Sequence, residues 1–282
     1  MDQTVIDVLK ATILGVVEGL TEFLPVSSTG HLLIANQFVH FDKKTFGDMF
    51  DIVIQLGAIL SVVVLFWKRI NPFSSKLTTV ERTGVWSLWG KTLVAFIPTG
   101  IGAFLLASWI EKNFFNAYTV AATLIFYGIV FIVVELMRKK TKFETVDAFP
   151  YWLAFALGVI QILSLIPGTS RSGITIIGAL LLGVSRFAAA EFTFFLAIPT
   201  MFAATAYSLF KYLKENGWGM TGTETIALAT GFLVSFLVAW VVVVAFIKFI
   251  QKKTFIPFGI YRIVAGAVVL GYFALTGAAI YR

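Results

Sequence analysis

Residues 15–31 read GVVEGLTEFLPVSSTGH, and they place Glu18, Glu22 and His31 inside an otherwise membrane-like apolar run. An ionisable group in hydrocarbon costs several kcal/mol by insertion scales, so such groups face a cavity and serve a function. The Pro25-Val26-Ser27-Ser28-Thr29-Gly30 break cannot continue a helix without freeing backbone polar groups. A second broken run, LSLIPGTSRSG at 163–173, carries Arg171. Two polar, broken hairpins in an apolar chain point to a buried site for an anionic substrate.

The whole chain has 282 residues, 59% of them hydrophobic and 13% charged, so it reads as a polytopic all-α membrane protein. Its mean hydropathy of +0.90 excludes a soluble domain of this size. The formal charge of +7 does not indicate nucleic acid. The basic residues sit in short loops beside apolar spans, at Lys68 and Arg69, Arg138 to Lys142, and Lys248 to Lys253, which is how topology is encoded. Cysteine is absent and gives no redox information. No cleavable leader is expected, because Asp2 and Asp7 precede the first apolar run and Glu18 interrupts it.

Runs long enough to span are expected at about 48–67, 86–109, 118–137, 187–212, 226–250 and 258–281. The stretches 8–41 and 151–185 are split by proline and small polar residues, and read as re-entrant helical hairpins. The order hairpin, span, span, span then occurs twice. It defines one membrane domain over 1–282, with repeat one at about 1–145 and repeat two at about 146–282. Leu14-Gly15-Val16-Val17 aligns with Leu157-Gly158-Val159-Ile160, Pro25 with Pro167, and Phe50 to Ala58 loosely with Phe192 to Thr200.

Three spans per repeat turn the second repeat upside down. Charge agrees: Lys68 to Lys91 and Arg138 to Lys142 read as cytoplasmic, and the segment around Glu111 and Lys112 as external. The hairpin tips then enter from opposite sides and meet near the midplane, an inverted-repeat layout.

Glu18 and Glu22, four residues apart, share a helical face and need a cation or an arginine between them. Ser27, Ser28 and Thr29 open a new helix whose free N–H groups suit phosphate oxygens, and Gly168, Thr169, Ser170 and Ser172 do the same at the second tip. Arg171 adds a guanidinium that pairs bidentately with phosphate. Ser28 and His31 stand within reach of a nucleophile–base pair. The set describes a phosphoryl-transfer site. Blander readings stand beside it: Ser27 and Thr29 as caps or packing residues, Arg171 as a structural partner of the two glutamates, and His31 as a core residue. Gly15 and Gly19 read as close-packing positions, and His40, Asp42, Lys43 and Lys44 as a solvated loop. Asp51, Gln55 and Glu191 are further candidates to line the cavity.

The two motifs and the apolar layout resemble the undecaprenyl-diphosphate phosphatase family of bacterial membrane enzymes, also known for bacitracin resistance. The resemblance implies six spans, two re-entrant hairpins and hydrolysis of undecaprenyl diphosphate to undecaprenyl phosphate and inorganic phosphate. It further implies a polyprenyl diphosphate substrate among membrane lipids, a divalent cation such as Mg²⁺ or Ca²⁺, and an extracytoplasmic-facing site in the bacterial cell membrane.

On that basis Arg171 clamps the diphosphate and Ser28 is the preferred nucleophile, with His31 as base or acid. Glu22 orients His31 or holds the cation with Glu18. His31 or an activated water as nucleophile remain alternatives. A lipid-carrier flippase or other alternating-access transporter is the rival function, and a structural scaffold a third; whether the chain forms a homo-oligomer stays open.

Overall fold

The first residues already show how the chain starts its helices. Asp2 caps α1 (Gln3–Thr21) by accepting from the Thr4 N–H, so α1 begins several residues before the expected hairpin start. Thr78 with Glu81 and Thr221 with Glu224 form capping boxes that open α5 (Thr79–Phe114) and α10 (Gly222–Ile250). Asn116 caps α6 (Ala117–Leu136), and Ser185 caps α9 (Arg186–Glu215). The computed structural model describes residues 2–137 and 140–277. Arg138 and Lys139 of the third-span charge cluster, and positions 278–281 of the expected last span, lie outside the described residues.

The remaining helices are α2 (Ser28–Ala35), α3 (Lys44–Leu65), the short α4 (Trp67–Ile70), α7 (Tyr151–Gln161), α8 (Arg171–Leu181) and α11 (Ile256–Thr276). A 3₁₀ turn over Ile162–Leu165 follows α7. Six of the described helices, α3, α5, α6, α9, α10 and α11, are long and apolar enough to cross a membrane. They match the six expected spans in order. The helices α2, α7 and α8, of 8, 11 and 11 residues, are too short to cross a core of ~30 Å.

Helix α1 packs along α10, and α7 along α5; α3 packs on α9, and α6 on α11. Exchanging the two halves of the chain leaves this set of pairings unchanged. Small residues make the contacts possible. A Cβ on Gly15 would lie 2.7 Å from the Gly231 carbonyl of α10, and one on Gly158 would lie 2.0 Å from the Ala95 carbonyl of α5. These are the two glycines that the sequence repeat aligns. Gly19 likewise meets the Ser235 carbonyl, as its close-packing reading requires.

The core is apolar, but burial departs from that of a soluble protein at both extremes. Phe104 and Leu105 are exposed on the outer face, whereas Glu18, Lys91, Thr175 and Arg262 are buried. Lys91 belongs to α5, not to a loop, and donates to the carbonyls of Val146 and Asp147 at 3.1 and 2.8 Å. Phe23 of the first hairpin packs edge-on against Phe194 of α9, centroids 5.2 Å apart, which seats that hairpin on the core.

Replacing Gly158 by valine should lower stability in detergent by about 1–3 kcal/mol or more, since overpacking forces the backbones apart. Gly271 has open space around its Cβ position, so Gly271→Ala should leave the thermal midpoint unchanged or slightly raised. Thermal unfolding of both variants beside wild type checks the contrast.

Candidate active site

The two chain reversals are built alike. Ser27 precedes α2 at φ 75°, and its hydroxyl accepts from the Gly30 N–H at 3.3 Å. Ser170 precedes α8 at φ 74°, and its hydroxyl accepts from the Gly173 N–H at 3.0 Å. Positive φ at a serine is uncommon and strained, and is retained where the surroundings over-determine it. The matched caps put Ser28 and Arg171 at the same position, the first residue of each helix.

Both of those residues reach one carboxylate. The Ser28 hydroxyl donates to Glu22 Oε2. Arg171 Nη2 donates to Glu22 Oε1 at 2.5 Å. Glu22 itself ends α1 as its C-cap, so three helix ends converge on one buried group. The Ser172 hydroxyl adds a bond to the Leu24 carbonyl at 3.2 Å, tying the second tip to the first.

Glu18 lies one turn back on α1, fully buried, and neither of its oxygens has a hydrogen-bond partner. Nε and Nη1 of Arg171 are likewise unpartnered. Unmet acceptors beside unmet donors suit a ligand carrying an anionic group and a cation. Among the described residues, no group of three His, Cys, Asp or Glu side chains could hold a metal ion. A divalent cation held by Glu18 and Glu22 would therefore complete its shell with substrate oxygens and water.

Several expected roles change. The Ser28–His31 pair does not form. His31 Nδ1 lies 2.7 Å from the Ser27 carbonyl and Nε2 lies 2.6 Å from the Tyr261 hydroxyl, so both nitrogens are engaged elsewhere. Glu22 does not orient His31. The carboxylate at the end of α1 reaches Ser28 directly and is the stronger acceptor.

At the second tip Ser170 and Ser172 bond each other at 3.1 Å, besides capping and tying the turn. Gly168 adopts φ +85°, and a Cβ there would fall 2.1 Å from Thr123 Oγ1. Thr169 is fully buried. These residues build the turn.

A cavity of about 900 Å³ reaches the tips at Thr29 and Pro167. Asp51 and Gln55 line it as expected, and so do His40 and Lys44 of the presumed solvated loop. In that loop Asp42 accepts from Lys10 and Lys43 donates to Tyr212. Glu191 is not on this cavity; it faces Arg69 at 3.7 Å.

Sequence reasoning missed Arg262. It is fully buried in α11 and donates to the Pro25 carbonyl at 3.0 Å and to the Gly168 and Thr169 carbonyls at 2.8 and 3.0 Å. One guanidinium thus ties both tips. The signal was available: Arg262 is a lone cation inside the apolar run 258–281. Thr123 of α6 supports the same turn through the Pro167 carbonyl at 2.7 Å.

The fold and site define a multi-pass helical membrane protein with a charged, serine-bearing centre between two broken helical hairpins. The chain belongs to the Bacitracin resistance protein BacA family, whose description matches residues 11–268. It is 47% identical over 273 residues to a Limosilactobacillus fermentum protein, covering 96% of this chain and 99% of the relative. It is 48% identical to a Lactiplantibacillus plantarum protein with the same coverage. An Enterococcus faecalis relative is 45% identical over 93% of this chain and 96% of its own. All three relatives are named undecaprenyl-diphosphatase.

Replacing Arg262 by methionine would orphan the buried carbonyls of Pro25, Gly168 and Thr169, at about 1–3 kcal/mol each. Thermal unfolding should show a lowered midpoint for Arg262→Met. Arg262→Lys, whose single ammonium cannot present the same fork, should fall between it and wild type.

Proposed function

We propose that this chain hydrolyses undecaprenyl diphosphate to undecaprenyl phosphate and inorganic phosphate, recycling the lipid carrier of cell-wall synthesis. Turnover of the diphosphate that bacitracin sequesters would also confer resistance. The observation that carries the reading is the meeting of the Ser28 hydroxyl and the Arg171 guanidinium on one buried carboxylate, Glu22. The names of the relatives support the substrate.

The polyprenyl tail stays in lipid while the diphosphate enters the polar centre between the tips. The unpartnered Arg171 donors bind the terminal phosphate, with free N–H groups at the starts of α2 and α8 beside it. The Ser28 oxygen attacks the terminal phosphorus and its proton passes to Glu22 Oε2. The Oγ–P bond forms as the bond to the bridging oxygen breaks, and undecaprenyl phosphate leaves with that oxygen. Water then cleaves the phosphoserine, releasing inorganic phosphate and restoring the hydroxyl.

A divalent cation held by Glu18 and Glu22 would supply neutralisation of phosphate charge. Relative to the sequence expectation, Glu22 replaces His31 as the base that serves Ser28, because the structure pairs those two groups. Ser27 and Thr29 complete the substrate-facing turn, with Gly168, Thr169, Ser170 and Ser172 holding the opposite one.

The repeats are inverted and the hairpins re-entrant in this reading, supported by the exchange-invariant helix pairings and by the basic loops. The site then faces the extracytoplasmic side of the bacterial cell membrane. The natural absence of cysteine makes this testable. A single cysteine placed at Lys112 should react with an impermeant thiol reagent added to intact cells, and one at Lys76 should react only after lysis; the reverse pattern contradicts the orientation.

Phosphate release from a long-chain prenyl diphosphate by purified protein in detergent tests the activity. Ser28→Ala and Glu22→Gln should each reduce turnover about 100-fold or more, and Arg171→Lys should lose most of it, because lysine lacks the planar fork. Phosphoserine at position 28 in quenched reactions is expected. Wild-type Ser28→Ala turnover would exclude the serine mechanism, and translocation of lipid without phosphate release would favour the flippase.

A further inference from the structure

Tyr261 and Arg262 are neighbours on α11, and both engage the hairpin centre. Arg262 ties the tips, whereas Tyr261 holds His31. The Tyr261 hydroxyl lies 2.6 Å from His31 Nε2, and the two rings stack with centroids 5.6 Å apart and planes within 10°. On the other edge of the imidazole, Nδ1 lies 2.7 Å from the Ser27 carbonyl oxygen.

These two contacts decide where the imidazole proton sits. A carbonyl oxygen only accepts, so Nδ1 must carry a hydrogen to bond the Ser27 carbonyl. A neutral ring then leaves Nε2 with a lone pair, and only a donor satisfies it. The Tyr261 hydroxyl is that donor. The alternative, a doubly protonated ring with tyrosine as acceptor, would bring a second positive charge close to the buried Arg262 guanidinium.

We infer that Tyr261 is a positioning residue of the reaction, its hydroxyl fixing the proton of a neutral His31 on Nδ1 and orienting the ring beside the Ser27–Ser28 turn. Its part in catalysis rests on the phosphatase reading above; the tautomer does not. Glu22, not His31, takes the Ser28 proton in that reading, so Tyr261 acts through the His31 Nδ1–H that holds the Ser27 carbonyl of the turn presenting the Ser28 hydroxyl. The stacked ring holds the imidazole plane within 10° of its own, and the Ser27 carbonyl ties it to the residue immediately before Ser28. Loss of the hydroxyl frees Nε2 while leaving the stacking surface intact.

The chain has two histidines, His31 and His40, so ¹⁵N-histidine labelling in detergent gives two imidazoles, and a His40→Gln variant identifies the His31 signals. Wild-type protein near neutral pH should show His31 protonated at Nδ1 only, with Nε2 shifted by an accepted hydrogen bond. In Tyr261→Phe, Nε2 should move to the position of an unbonded lone pair or the ring should populate both tautomers. In the same variant kcat for phosphate release should fall about tenfold, the effect of one hydrogen bond, with KM nearly unchanged.

A wild-type ring protonated at Nε2, or at both nitrogens, overturns the inference, as does a Tyr261→Phe protein with wild-type kcat. The wild-type spectrum stands as a test even where the variant fails to fold. Wild-type protein with the expected spectrum but no phosphate release refutes the phosphatase reading and Tyr261's role in it, leaving the tautomer established.

Discussion

Glu22 is a carboxylate at a helix end, deep in a protein whose surroundings are hydrocarbon, and the centre depends on keeping it satisfied. In that setting an unpaired charge is far more costly than in water. The protein meets the demand with Arg171 from the far half of the chain and with the Ser28 hydroxyl from the next helix. Because the two donors come from different hairpins, satisfying the charge also brings the two chain reversals together.

A buried ion pair gives little net stability against an apolar alternative, since desolvation offsets much of the attraction. Its retention here fits a functional demand. The remaining construction around Glu22 serves the turn backbone: Ser172 donates to the Leu24 carbonyl, Arg262 to three turn carbonyls and Thr123 to the Pro167 carbonyl. These bonds satisfy backbone groups that the breaks at Pro25 and Pro167 would otherwise leave bare in a water-poor interior. Among the buried polar atoms left unmet, those of Glu18 and the outer donors of Arg171 flank Glu22 and stand available to a ligand, with Thr169 Oγ1 and Arg262 Nε unmet at the second tip.

Small residues on the long helices set how closely this centre is enclosed. Gly15 and Gly158 let α1 and α7 lie backbone to backbone on α10 and α5, and Gly128 and Gly259 do the same between α6 and α11, where each Cβ would meet the other's carbonyl at 2.7 Å. Close approach of α11 to α6 is what brings Arg262 and Thr123 to the same turn. Packing in lipid has little hydrophobic drive between helices, so such contacts and the polar ties carry the association.

The six spans were legible in the chain because length and hydropathy alone decide whether a helix can cross ~30 Å of hydrocarbon. The two breaks and their acidic and basic residues were legible for the same reason: charge and proline inside an apolar run are anomalies at any position. Which donor each anomaly meets was not. Ser28 and His31 looked paired by spacing, yet Glu22, six residues before Ser28, reaches the hydroxyl, and Tyr261, 230 residues after His31, reaches the ring. Arg262 stood out in sequence as a solitary cation, but its carbonyl partners Pro25, Gly168 and Thr169 lie in two turns that only packing brings within reach. Local chemistry is written along the chain, whereas hydrogen-bond partnership is set by the approach of helices distant in sequence, and that approach only the tertiary structure decided.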